Sequence, residues 1–64
     1  MEEINYLKEA LEIEKEALEN AQRCYDYYSK SGDKELAEAI KSIRDDEEKH
    51  IGKIESLIKK MEVK

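Results

Sequence analysis

Within Asp45-Asp46-Glu47-Glu48-Lys49-His50, Glu47 and His50 interrupt an otherwise apolar stripe. From Leu36 onward the expected inward positions are Leu36, Ile40, Ile43, Glu47, His50, Ile54, Leu57 and Met61. Their step of four then three residues is the rhythm of a helix packed along one seam. Two adjacent slots of that seam hold metal-ligand side chains. The N-terminal half repeats the rhythm in Ile4, Leu7, Leu11, Glu14, Leu18, Ala21, Tyr25 and Tyr28, with a single acidic interruption at Glu14.

An antiparallel hairpin pairs residues whose numbers add to a nearly constant total, which tests the two stripes against each other. Tyr28 then faces Leu36, Tyr25 faces Ile40, Ala21 faces Ile43, Leu18 faces Glu47, Glu14 faces His50, Leu11 faces Ile54, Leu7 faces Leu57 and Ile4 faces Met61. The register that matches apolar slots with apolar slots therefore also gathers Glu14, Glu47 and His50 into one layer.

Ser31-Gly32-Asp33 is the break between the halves. Gly32 suits the left-handed conformation that ends a helix, and Asp33 suits the cap of the next. A link this short makes neighbouring helices antiparallel. The expected layout is helix one over about residues 3–29, a loop over about 30–33 and helix two over about 34–61. Glu2 and Glu3 near the start, and Lys59 and Lys60 near the end, complement the helix dipoles. Glu9, Glu12, Glu16 and Glu19, with Lys8 and Lys15 among them, form a solvated outer face.

The chain of 64 residues forms one domain, 1–64, with 45% charged residues, no Pro and two Gly. That composition belongs to charged helices, not to a sheet or a disordered tail. A two-helix hairpin of this length cannot cover both faces of its own helices, so a homo-oligomer, a dimer at least, is expected. The net charge of -5 argues against a nucleic-acid surface and favours cations. No apolar run is long enough for a membrane span and no signal peptide is recognisable. Cys24, the single cysteine, has no internal disulfide partner, which fits a cytoplasmic protein. Flanking the seam, it reads as a small hydrophobe. Tyr25 and Tyr28 read as core packing near the loop. Gly52, inside helix two, marks either a close approach of another helix or a tolerated weak spot.

Glu47 and His50, three residues apart, point to the same side of a helix and are able to share one ion. Two ionised carboxylates left together in a low-dielectric layer are costly, and a cation removes that cost. One hairpin supplies three ligands. Two related by a twofold axis supply four Glu and two His, the ligand set general to di-iron and di-manganese carboxylate bundles. Mixed oxygen and nitrogen ligation suits Fe, with Mn or Zn as substitutes.

Glu14-Lys15-Glu16-Ala17, the loop Ser31 to Leu36, and Asp46-Glu47-Glu48-Lys49-His50-Ile51 together resemble the iron-binding half-motif of the rubrerythrin and ferritin-like superfamily. The two-helix length resembles the encapsulated-ferritin branch of that family. The resemblance implies an all-α fold, an antiparallel two-helix hairpin that dimerises into a four-helix ferritin-like bundle. It implies a di-iron centre shared between two chains, with Glu14, Glu47 and His50 as metal ligands and catalytic residues. The implied activity is that of a ferroxidase-like oxidoreductase, oxidising Fe(II) with dioxygen or peroxide. The implied assembly is a dimer or a larger ring, in the cytoplasm or inside an encapsulin shell. The chain departs from the family pattern at Ala21, where an aromatic residue is common, and in lacking rubredoxin-like cysteine pairs and a recognisable encapsulin-targeting tail.

A second reading comes from a different class. Glu14, Glu47 and His50 also fit a structural polar or metal layer that fixes register in a non-catalytic oligomerisation module.

Overall fold

The computed structural model describes residues 2–63. Met1, Lys64 and the side chain of Glu2, part of the acidic helix start expected above, lie outside the described residues. The chain forms two helices, α1 (Glu2–Ser31) and α2 (Lys34–Glu62), with no strand among the described residues. α1 is rich in Ala, Leu, Glu and Lys, the residues that lose least on entering a helix. It runs two residues beyond its expected end because no breaker precedes Gly32.

Gly32 stops the helix with a φ of 87°, where a side chain would be strained. The Ser31 hydroxyl donates to the carbonyl of Tyr28 at 2.9 Å. Asp33 then caps α2, its carboxylate accepting from the Leu36 amide at 3.1 Å while its carbonyl accepts from the Ala37 amide at 3.0 Å. Glu35 in the first turn of α2, and Lys59 and Lys60 in its last, complement the helix dipole. The hairpin is a rod 49 Å long and 14 by 11 Å across. No described helix is long and apolar enough to cross a membrane.

All eight expected inward positions of α1, from Ile4 to Tyr28, are buried or half-buried, and the Glu and Lys of its outer face are exposed. α2 differs from expectation. Its face toward α1 is Ala37, Ile40, Arg44, Glu47, Ile51, Ile54, Ile58 and Met61. Leu36, Ile43, His50 and Leu57, expected inside, are exposed instead, Ile43 by 53% and Leu57 by 48%. The apolar arc of α2 is wider than one seam. It holds two rows with seven-residue spacing, Leu36 to Leu57 and Ala37 to Ile58, and a single partner helix covers only one of them. The hairpin takes the row that starts with the small Ala37, beside the tight link to α1.

Arg44 is the polar member of the chosen row, and its own surroundings hold it. Its guanidinium lies 4.9 Å from the centroid of the Tyr25 ring. It donates to the Gln22 side-chain oxygen at 3.2 Å and to Asp45 at 3.2 and 3.4 Å. Tyr28 packs edge-on against Tyr27, with ring centroids 4.9 Å apart. Gly52 lies exposed, and a Cβ there would meet nothing within 4 Å. Within the hairpin it therefore marks no close approach.

Only Ala21, Ala37 and Ile58 are buried among the described residues. The link thus carries much of the hairpin's definition. Asp33→Ala is expected to cost about 1 kcal/mol through loss of the cap, read as a thermal midpoint lower by several degrees at fixed protein concentration. An unchanged midpoint would remove the cap from this account.

Candidate metal centre

Glu14 comes from the middle of α1, and Glu47 and His50 come from consecutive turns of α2. The antiparallel crossing brings them together as the sequence register requires. His50 Nδ1 lies 3.5 Å from Glu14 Oε1 and 4.0 Å from Glu47 Oε2. Each residue offers a donor atom, and the three atoms lie within 4.8 Å of one another. Two donors each about 2.1 Å from one ion stand up to about 4.2 Å apart.

The three side chains differ in exposure. Glu47 is the most enclosed, with 18% of its side chain accessible, whereas His50 is 52% accessible. His50 is thus not the enclosed seam residue expected from the sequence. It stands at the border between the seam and the open face of the hairpin, with its ring still turned to both carboxylates.

Glu47 Oε2 is buried and has no hydrogen-bond partner among the described residues. A buried carboxylate oxygen left that way is unfavourable unless a proton or a cation meets it. The Glu47 carboxyl is correspondingly pushed above the usual carboxylate range. The main cause is its contact with the Glu14 carboxyl, which favours a proton held between the two; burial and the negative charge of Glu14 add to it. His50 pulls in the opposite direction, and Asp46 adds a small further push upward. The layer therefore holds excess negative charge beside an imidazole nitrogen.

The donor set fits a transition-metal cation such as iron or manganese: two carboxylates, one of them with an orphaned oxygen, and one imidazole. Cys24, half-buried and free, does not join the group. Asp46 and Glu48, next to the ligands in sequence, are exposed. Sequence pattern alone assigned no role to the Arg44, Gln22, Tyr25 and Asp45 cluster. Its signal was an Arg in a row of seven-residue spacing otherwise filled by Ala37, Ile51 and Ile58. Compared with known protein families, characterised proteins and solved structures, the chain finds no match.

The raised carboxyl of Glu47 has a definite consequence for metal-free protein. The folded state holds its proton to higher pH than the unfolded state does. Stability is therefore lost as pH rises from the usual carboxylate range through the raised value, and the cost persists at neutral pH. Glu47→Gln is expected to be more stable than the wild type to urea at about pH 7 in chelator. That advantage should fade on acidification below the usual carboxylate range. A variant less stable than wild type at neutral pH would show that the ionised Glu47 is well accommodated without metal.

Proposed function

We propose that two copies of this chain form a four-helix bundle around a di-iron carboxylate centre that oxidises Fe(II) with dioxygen or peroxide. The observation that carries this reading is the convergence of Glu14, Glu47 and His50 on one point, with the buried Oε2 of Glu47 left unsatisfied. One hairpin offers three ligands, too few to close around two ions; a second copy doubles the set to four carboxylates and two imidazoles. Glu14, Glu47 and His50 of each copy would hold the ions, the carboxylates through oxygen and the imidazole through nitrogen. When bound, the irons supply the electrons that dioxygen or peroxide accepts. The chain's own residues would bring carboxylate charge to the ions, beside half-buried Leu11 and Leu18 on α1 and Ile51 and Ile54 on α2.

Mixed carboxylate and imidazole ligation favours iron, and the same site accepts manganese or zinc. The resemblance to the ferritin-like superfamily supports the same activity, and with it we propose a cytoplasmic protein or one within an encapsulin compartment. A second reading has its own support in the contact between His50 and Glu14: the layer is a structural polar or metal layer that fixes the register of a non-catalytic bundle.

Anaerobic Fe(II) titration followed by air separates the two. The expected result is uptake of two irons per dimer and growth of ferric absorbance on aeration, both lost in Glu47→Ala. Uptake that is absent, or unchanged in that variant, leaves the structural layer. His50→Leu provides a companion measurement, since replacing a half-exposed polar residue with an apolar one is expected to preserve or raise the stability of metal-free protein. A marked fall in its urea midpoint would favour the structural layer.

A further inference from the structure

One face of the hairpin carries three lines of residues, two of them exposed and one half-buried. Seven residues make about two helical turns, so residues at that spacing lie in a line. On α2 the line is Leu36, Ile43, His50 and Leu57, all exposed. On α1 a line of small side chains, Ala10, Ala17 and Cys24, borders the seam, and beyond it lie exposed Tyr6, Ile13 and Tyr27. These lines share a side of the molecule. A groove of about 250 Å³ is lined by Ala17, Asn20, Ala21 and Cys24 from α1 and by Ile40, Ile43 and Glu47 from α2. The opposite flank of α2 carries Lys34, Lys41, Glu48 and Glu55, also in line and exposed. The apolar face is therefore one-sided.

We propose that this face is the docking surface for a second copy of the chain, with the large line of each hairpin seated along the small line or groove of the other. The inference deepens the reading above by locating its partner, and it rests on that reading for the meeting of the two polar layers. Three observations favour a copy over a different protein. The face is self-complementary, with a ridge and a channel of equal seven-residue spacing, as an isologous contact requires. The incomplete ligand group opens onto it, and a copy brings the missing carboxylates and imidazole at the same height along the rod. The surface area also matches. The accessible surface is 5138 Å², whereas a compact protein of this mass would show about 4,200 Å². The excess is close to the roughly 800 Å² that each partner contributes to a standard interface.

Sedimentation equilibrium of the full chain, in chelator and again with anaerobic Fe(II), tests the proposal together with hydroxyl-radical footprinting of the wild type. A dimer is expected, with Ile43 and Leu57 protected and Val63, 81% exposed, fully reactive. Ile43→Ala is expected to weaken association by ~10-fold or more while helicity returns at high concentration; Glu55→Lys on the opposite flank is expected to leave it unchanged. Footprinting needs no variant and so stands if Ile43→Ala fails to fold. A protein that is monomeric both with and without Fe(II), or a dimer in which Ile43 and Leu57 react as freely as Val63, would overturn the proposal. A dimer through this face that takes up no iron would retain it and overturn the metal reading alone.

Discussion

Two helices in contact bury one strip of each, and that geometric limit governs the rest of this molecule. The chain carries more apolar surface than one strip accounts for. Ala21, Ala37 and Ile58 are its only buried hydrophobic residues among those described, while Ile13, Ile43, Leu57 and Tyr6 stand in water. Small cores of this kind supply little net stability against the conformational entropy of some sixty ordered residues. The hairpin's own helices thus cover only part of its apolar surface, and the polar layer lies where the covered part meets the exposed one. Glu14 and Glu47 are enclosed from one side by the seam and from the other only by whatever occupies the open face.

The fold was largely legible because few devices define it and each has a local signature. Gly32 and Asp33 marked the link, and the structure gives them the left-handed φ and the cap expected of them. The inward face of α1 was legible because its flank toward Lys8 and Lys15 is polar, which fixes that edge of the stripe. α2 offered no such edge. Leu36, Ala37 and Ile40 are all apolar, as are Ile51, Ile54, Leu57 and Ile58, so a step of four then three threads the arc in two ways. Periodicity identifies the arc and leaves open which half faces the mate. The covered row includes a charged residue, Arg44. What outweighs this is tertiary: Tyr25 and Gln22, distant in sequence, receive the guanidinium. The site survived the difference because Glu47 belongs to both threadings, and His50 is near enough to the border to reach Glu14 from either.

The electrostatics of the layer follow from that placement. Bringing the Glu14 carboxyl against Glu47 under partial burial works against ionisation of Glu47, and the upward push on that group expresses the conflict. A neutral imidazole cannot relieve it, and a charged one compensates a single carboxylate. In the proposed bundle the conflict grows, because two such layers meet and four carboxylates share one low-dielectric volume. Protons and divalent cations are then competing answers to the same excess of charge, so ion binding and proton release are coupled. The proposed ions would neutralise the layer without requiring any carboxylate to stay protonated at neutral pH.

The contrast between the two polar interruptions of α2 bears on which role the layer plays. Arg44 sits in the seam as a structural polar residue should: its hydrogen bonds go to Gln22 and Asp45 and its flat face rests on Tyr25, all within the hairpin. Because Gln22 and Tyr25 lie on the opposite helix, a slip of the helices along each other would break these contacts, so register is already specified there. One turn further on, the buried oxygen of Glu47 meets no donor among the described residues, and its carboxyl faces that of Glu14. A second layer is superfluous as a register device, and as one it would be poorly made. An unsatisfied carboxylate beside a second carboxylate and an imidazole has a physical rationale when the missing partner is a cation from outside the chain.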